Sequence, residues 1–199
     1  MYRPHPSTTP AEGSRVSSLR PRLNDDSPDL QAARERLLAV CGEVPKRWLL
    51  VSEASQSLAL VTAEGIERTY GVSTSAAGLD GIEGSFGTPP GVHRITRKIG
   101  ADQPIGTWFQ SREPVGRWPD DGYQNADLIL SRILTLEGCE EGLNRGGRCD
   151  SLERFIYIHG TNHEDRIGEP DSHGCIRLSN TDVIRLFDQV EEGDPVVIV

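Results

Sequence analysis

Residues 159–161 read His-Gly-Thr, and residues 172–178 read Ser-His-Gly-Cys-Ile-Arg-Leu. The two stretches place two histidines and a cysteine within one short window of the chain. A thiol becomes a useful nucleophile when a neighbouring group accepts its proton, and an imidazole does this near neutral pH. The segment between His159 and Cys175 is long enough to form a loop that brings the two side chains together. We therefore predict a cysteine nucleophile with a histidine as its general base.

The residues around Cys175 suit the other roles that such a reaction needs. Gly174 lets the backbone approach a substrate closely, and the N–H groups of Gly174 and Cys175 are expected to form an oxyanion site. His173 is expected to shape the pocket or donate to the substrate, and Arg177 to grip a carboxylate through two hydrogen bonds. A backbone carbonyl or a carboxylate would fix the tautomer of His159.

Two other interpretations of the same residues stay open at this point. In the first, Cys175 is a buried structural thiol, although the polar and glycine-containing setting of residues 172–174 does not suit a core position. In the second, zinc is bound by some of four potential ligands: His159, His163, His173 and Cys175. The four-residue spacing of the first two histidines suits a helix, whereas His159 is expected to end a strand.

The composition limits the class of protein. A chain of 199 residues with 36% hydrophobic and 26% charged residues is typical of one soluble globular domain. A formal net charge of −9 argues against nucleic acid or an anionic membrane as a partner. No run of about 18 apolar residues is present in the sequence, so no membrane-spanning helix is predicted.

Residues 1–26 are rich in proline, serine and arginine and show no periodicity, which predicts a disordered tail. An organelle transit peptide is the alternative interpretation. The stretch lacks the apolar segment of a secretory signal, so we expect a cytoplasmic protein, or a periplasmic one if the true start lies elsewhere.

Residues 27–45 are predicted to contain an N-terminal helix. Ser27, Pro28 and Asp29 are typical of a helix start, and Gly42 is typical of a helix end. Apolar residues at helical spacing predict the face that packs on the body: Leu30, Ala33, Leu37 and Cys41.

From residue 46 onward the pattern changes to strands. Short apolar or alternating runs predict strands at residues 48–51, 57–61, 66–74, 92–96, 126–136, 154–158 and 195–199. Residues 76–87 are predicted to form a loop, and residues 98–123 a surface excursion, of which residues 98–122 could act as a lid. A late helix is expected from Ser179, with Asp182 as a capping acid, to Gly193. Many strands and no alternating βα units predict a mainly-β fold.

Cys139 and Cys149 flank a glycine-containing loop. They could form a disulfide in an oxidising compartment, but the expected cytoplasmic location favours two free thiols.

The chain resembles the L,D-transpeptidase (YkuD) catalytic domain. The resemblance rests on residues 156–161 and 172–178 at the family's spacing, with further similarity at residues 70–74, 88–95 and 193–199. It covers about residues 46–199 and leaves the tail and the first helix outside. It implies a YkuD-like β-sandwich with a few short helices.

The resemblance also implies roles for individual residues and requires neither a cofactor nor a metal. Cys175 corresponds to the nucleophile and His159 to the base, and the carbonyl of Gly160 orients the imidazole. The backbone from His173 to Cys175, including Gly174, corresponds to the oxyanion site. Three residues are implied in substrate binding: Arg177, Ser172 and Thr161.

In the family, the cysteine attacks the carbonyl at the L-centre of diaminopimelate in a peptidoglycan stem tetrapeptide, and D-alanine leaves. Water then completes an L,D-carboxypeptidase reaction in wall recycling, which the absence of an export signal favours. An amine instead completes an L,D-transpeptidase reaction that forms 3→3 cross-links or attaches a lipoprotein. A catalytically silent protein that binds wall peptides is the alternative of another class. The implied partners are stem peptides or muropeptides, with carbapenem β-lactams as covalent inhibitors.

Overall fold

A computed structural model describes residues 23–120 and 127–199. Within these ranges the chain forms two α-helices, α1 (Pro28–Cys41) and α2 (Asn180–Gln189), and ten strands. The strands are β1 (Arg47–Ser52), β2 (Ser57–Thr62), β3 (Gly65–Gly71), β4 (Gly91–Ile99), β5 (Thr107–Gln110), β6 (Glu113–Arg117), β7 (Ile129–Gly138), β8 (Tyr157–Gly160), β9 (Ile176–Leu178) and β10 (Pro195–Ile198).

The strands form one hydrogen-bonded network that folds over on itself. Its main path runs β3-β2-β1-β10-β4-β7-β5-β6, while β8 pairs with β7 and carries β9 on its other edge. Strands β1 and β10 are parallel, as are β8 and β9. A buried apolar layer joins β1, β2 and β10 to β7, β8, β9 and α2. The predicted mainly-β sandwich with few helices is therefore confirmed.

Helix α1 covers the outer face of the β1–β2–β10 layer. Leu30, Ala33 and Leu37 are fully buried there, as the apolar spacing predicts. The prediction that Cys41 lies on this face was wrong, because Cys41 is exposed and Val40 packs against the cluster instead. The apolar stripe thus advances by three residues rather than four in the last turn.

The two ends of α1 differ in how far the sequence signals hold. Gly42 adopts a left-handed conformation with φ 79° and donates its N–H to the carbonyl of Leu38, so it ends the helix as expected. Ser27 occupies the N-cap position, but its hydroxyl makes no capping hydrogen bond. The position of the helix start was therefore predicted correctly, and its side-chain cap was not.

Of the tail predicted over residues 1–26, residues 1–22 lie outside the described residues. Its last residues, however, are held against the body. Leu23 is buried in the cluster under α1, and a carboxylate oxygen of Asp25 accepts the N–H of Ile66 at 2.9 Å. The prediction of disorder was wrong for residues 23–26, because one apolar side chain and one carboxylate find partners on β3 and α1.

The excursion predicted over residues 98–123 contains a β-hairpin that the sequence did not reveal. Strands β5 and β6 pair with each other, and β5 also pairs with β7, so the hairpin extends the sheet. Its proline and glycine content obscured the alternation that normally indicates strands. Residues 121–123, the end of that excursion, lie outside the described part of the chain.

The strand before His159 begins later than predicted. Residues 151–155 form turns, in which the N–H of Ile156 bonds the carbonyl of Ser151 at 3.0 Å, and β8 begins at Tyr157. The late helix is placed as expected, since the hydroxyl of Ser179 accepts the N–H of Asp182 at 3.1 Å. That helix ends at Gln189, ahead of Gly193.

All four thiols are free, including those of Cys139 and Cys149. No helix within the described ranges combines the length and the apolar character that a membrane crossing requires.

Candidate active site

The parallel pairing of β8 and β9 places the predicted nucleophile and base on one face of the sheet. In this pairing His159 lies opposite Arg177, and Ile158 lies opposite Ile176. Cys175 directly precedes β9, two residues before Arg177, so it projects to the same side as His159. The thiol packs with Tyr157 and Ile133, the residue that lies opposite His159 on β7. The structure therefore brings Cys175 and His159 to one site.

The imidazole of His159 is buried and held in one tautomer. Its Nδ1 lies 2.7 Å from the carbonyl oxygen of Gly160, to which it donates, so Nε2 carries the lone pair of the neutral ring. Burial lowers the pKa of His159 to about 4, against an opposing effect of the Gly160 hydrogen bond. A glycine is required beside it, because a Cβ on Gly160 would lie 2.5 Å from Oδ1 of Asn180.

The thiol of Cys175 is half-buried, and its Sγ lies 3.5 Å from the carbonyl oxygen of Phe155. Burial raises the pKa of this thiol to about 11, and the negative charge of Asp127 also raises it. Together with the lowered pKa of His159, this favours a neutral thiol beside a neutral imidazole at pH 7. The thiolate would then form as the proton moves to Nε2 during attack.

The loop before Cys175 is held by Ser172. Its hydroxyl donates to the carbonyl of Cys175 at 2.5 Å and accepts the N–H of Gly174 at 3.2 Å. Gly174 has φ 127°, and a Cβ there would lie 3.2 Å from the Ile156 side chain. The Gly174 N–H is thus already engaged, so the oxyanion role predicted for it would require this bond to break. The predicted donors that remain are the N–H groups of His173 and Cys175.

Thr161 is fully buried, and its hydroxyl accepts the N–H of His163 at 3.1 Å. The carbonyl of Thr161 accepts a side-chain N–H of Asn180 at 2.8 Å. The hydroxyls of Thr161 and Ser172 therefore already have partners within the loops that support His159 and Cys175. Their predicted contact with substrate stays a prediction.

Arg177 is buried, with a side chain only 2% exposed, and both ends of its guanidinium bind carboxylates of the protein. Nη1 donates to Asp171 at 3.0 Å, and Nη2 pairs with Asp127. Asp127 also lies 3.6 Å from Nδ1 of His173. Sequence reasoning missed both carboxylates: Asp127 is fifty residues from Arg177 in the chain, and Asp171, although only six residues away, lies just outside the motif. These contacts favour a positioning role for Arg177 over the predicted contact with substrate.

A cavity of about 440 Å³ opens next to Phe155, whose carbonyl the thiol contacts, although Cys175 and His159 are not themselves among its lining residues. Phe155, Ile156 and His173 line the side nearest Cys175, and Phe86 packs edge to face on His173 with centroids 6.1 Å apart. The side chain of His173 is 72% exposed, which suits its predicted role in shaping the pocket.

The cavity wall formed by the loop at residues 76–87 is fixed by Arg154. The guanidinium donates to three backbone carbonyls of this loop, those of Asp80, Gly81 and Gly87, at 2.6–3.2 Å. Sequence analysis identified the loop but not this anchor, which joins residues more than sixty positions apart.

The zinc alternative has no ligand set in residues 23–120 and 127–199. No three histidine, cysteine, aspartate or glutamate side chains come together there in a group that could bind a metal ion.

Comparison with known proteins identifies the family. The family model of the YkuD L,D-transpeptidase catalytic domain matches residues 46–198. The chain belongs to this family. It is 27% identical to the putative L,D-transpeptidase YqjB of Bacillus subtilis (strain 168) over 151 residues, which make up 76% of this chain and 70% of that protein.

Solved L,D-transpeptidase structures also match this chain. The Ldtfm–avibactam carbamoyl enzyme matches with a TM-score of 0.50 at 16% identity, over 78% of this chain and 49% of that one. The L,D-transpeptidase LdtMt1, solved in complex with imipenem, matches with a TM-score of 0.49 at 19% identity, over 77% of this chain and 59% of that one. This chain therefore spans only about half to three fifths of these two solved chains.

The first prediction concerns the resting state of the thiol. Because its pKa lies near 11, we expect alkylation of Cys175 by iodoacetamide at pH 7 to be roughly 100-fold slower than that of a free cysteine. The rate should keep rising up to about pH 11. Peptide mass spectrometry of a Cys41→Ala variant, which lacks the exposed thiol, measures it. A rate that is high and constant between pH 6 and 8 would show a standing thiolate and contradict the prediction.

The second prediction separates a positioning role of Arg177 from substrate contact. Arg177→Met leaves Asp127 and Asp171 without their buried cation, so we expect the free energy of unfolding to fall by roughly 2–4 kcal/mol. Arg185→Met is the matched control, since that exposed pair with Asp182 should contribute less than about 1 kcal/mol. Urea unfolding measures both. An Arg177 variant of unchanged stability with a raised KM would instead favour substrate contact.

Proposed function

We propose that this chain cleaves the bond between the L-centre of diaminopimelate and D-alanine in peptidoglycan stem tetrapeptides. Cys175 Sγ attacks the carbonyl carbon while its proton moves to Nε2 of His159. The tetrahedral oxyanion forms against the backbone N–H groups of His173 and Cys175. His159 then gives the proton to the departing amine of D-alanine, which leaves a thioester between the tripeptide and Cys175.

One observation carries this proposal. A neutral imidazole whose Nδ1 is committed to the carbonyl of Gly160 lies on β8, and a half-buried thiol directly precedes the paired strand β9. The thiol contacts the carbonyl of Phe155, which lines a cavity of about 440 Å³. A free Nε2 can act as general base only in this tautomer, and the cavity falls in the size range of small-molecule sites. The membership of the family supports a stem peptide as the substrate.

Water is the acceptor that we propose for the thioester, which makes the reaction an L,D-carboxypeptidase reaction. The supporting observation is the hairpin β5–β6, whose tip places Arg112 over the rings of Phe155 and Tyr157 beside the thiol. We infer that the hairpin tip leaves less room beside the thioester for the amine of a second stem peptide than for water. In the second step, water adds to the thioester carbonyl while His159 accepts its proton. The C–S bond then breaks, the proton returns from His159 to Sγ of Cys175, and the tripeptide leaves with a free carboxylate.

Transpeptidation is the second candidate, and the family name and the relative from Bacillus subtilis favour it. An amine would then replace water in the second step, giving a 3→3 cross-link or an attached lipoprotein. A protein that binds wall peptides without turnover is the third candidate. For each of these, the proposed ligands are stem peptides or muropeptides, and carbapenems are proposed to acylate Cys175.

Incubation with a disaccharide-tetrapeptide followed by mass spectrometry tests the proposal. We expect free D-alanine and tripeptide from the wild-type protein, and only the uncatalysed background from Cys175→Ala. Cys41→Ala, which removes an exposed thiol far along the chain, is the matched control and should keep the wild-type rate. Meropenem should add its mass once to the wild-type and the control, and not to Cys175→Ala.

The other outcomes decide among the candidates. Cross-linked dimers in place of tripeptide would support transpeptidation, and bound but unaltered tetrapeptide would support a binding protein. Turnover by Cys175→Ala at the wild-type rate would overturn the mechanism altogether.

A cytoplasmic location is part of the same proposal, since recycling acts on stem peptides that have been returned to the cell interior. Fractionation of cells that express the full-length protein tests it with an antibody against the chain. We expect the protein in the cytoplasmic fraction, and recovery from the periplasm would overturn the location without affecting the chemistry.

A further inference from the structure

The tip of the hairpin β5–β6 is a two-residue turn made by Ser111 and Arg112. Both adopt left-handed backbone conformations, with φ 52° and 71°, which residues other than glycine, asparagine and aspartate rarely adopt. From this turn the Arg112 side chain reaches Tyr157, the first residue of β8. Its Nε donates to the hydroxyl of Tyr157 at 2.8 Å.

Two aromatic rings hold the Arg112 guanidinium in place. Its central carbon lies 5.2 Å from the ring centroid of Phe155 and 5.5 Å from that of Tyr157. The thiol of Cys175 packs against the same Tyr157 and contacts the carbonyl of the same Phe155. The guanidinium and the thiol therefore share both of these neighbours.

The terminal nitrogens of Arg112 remain available. Within residues 23–120 and 127–199, the protein offers no hydrogen bond to Nη1 or Nη2 and no carboxylate paired with this side chain. This distinguishes Arg112 from the other two arginines near the thiol. Arg154 is committed to three backbone carbonyls, and Arg177 is committed to Asp127 and Asp171.

Backbone strain is concentrated around the same point. Six residues other than glycine in the described ranges have positive φ. Among them, Phe155 contacts the thiol through its carbonyl, Arg112, next to Ser111, stacks on Phe155, and Phe86 packs on His173. Phe86 and Phe155 are also 61% and 59% exposed. Strained conformations with exposed rings persist where the surrounding structure fixes them, and such positions cluster at ligand-binding sites.

The geometry points to Arg112 as a substrate-binding residue that grips a carboxylate of the acyl donor, close to the carbonyl that Cys175 attacks. The fixed Nε leaves the two Nη groups as a fork, which matches the two oxygens of a carboxylate. In the proposed tetrapeptide substrate, on which this part of the inference rests, two carboxylates lie near the scissile bond. One is the C-terminal carboxylate of D-alanine, and the other belongs to the D-centre of diaminopimelate.

The first experiment needs no peptide, so it stands apart from the proposed function. Iodoacetate and iodoacetamide alkylate the same thiol, but only iodoacetate carries a carboxylate. We expect Arg112→Gln to lower the ratio of the two Cys175 alkylation rates, iodoacetate over iodoacetamide, by about tenfold at pH 9. The rates are read on the Cys175 peptide by mass spectrometry.

Arg97→Gln is the matched control for the lost charge. Arg97 is exposed on β4, and its charge acts on Tyr157 without a contact to the thiol. A ratio that falls only in the Arg112 variant supports a direct grip. A ratio that is unchanged in Arg112→Gln, or that falls equally in both variants, would overturn the inference.

The second experiment identifies the carboxylate with three tetrapeptides: the free acid, the D-alanine amide, and the amide of the D-centre carboxyl of diaminopimelate. We expect Arg112→Gln to raise the KM for the free acid about tenfold, with a smaller change in kcat, and one of the amides to abolish the difference from wild type. The amide that abolishes the difference identifies the carboxylate that Arg112 binds. A difference that persists on both amides would refute the grip, whereas failure of the wild-type protein to cleave any peptide would refute only the proposed function.

Discussion

The parallel pairing of β8 with β9 sets the positions of both reactive side chains. Parallel strands are joined by a crossover, and here the crossover is the loop between Gly160 and Ile176 that contains the histidine–glycine–cysteine motif. Because side chains alternate along a strand, a shift of this register by one residue would turn Cys175 away from His159. The buried polar contacts of this loop, from Ser172, Thr161 and Asn180, therefore act mainly to hold one register.

Burial has opposite consequences for the two reactive groups, and both favour the neutral pair. Desolvation raises the pKa of Cys175 and lowers that of His159, because in each case the charged form loses its hydration. The negative charge of Asp127 raises the pKa of both groups, and the positive charge of Arg177 lowers it. A neutral resting thiol is protected from adventitious oxidation, and the cost is that proton transfer must accompany attack.

The local parts of the site could be predicted from the sequence, and the long-range parts could not. The motif around His159 and Cys175 identified both residues, since glycine and polar neighbours at a cysteine are unusual in a core. Helix α2 followed from Ser179 and its apolar spacing. Nothing in the sequence indicates that Arg177 pairs with Asp127, because such a pair depends on how separate segments meet in the fold. The same holds for the hairpin β5–β6, whose short strands carry proline and glycine.

Four residues at the rim of the site, Phe86, Ser111, Arg112 and Phe155, have strained backbones, and this bears on how the site works. Phe86 and Phe155 line the cavity, whereas Ser111 and Arg112 form the hairpin tip that stacks on Phe155, and all four are in left-handed conformations. Each such residue costs about 1–3 kcal/mol, so the neighbouring contacts must fix it. Arg154 does so for the loop under Phe86, and the stacking on Tyr157 does so for the hairpin tip. A rim fixed in this way binds its substrate without first having to become ordered, so less of the binding energy is lost to conformational entropy.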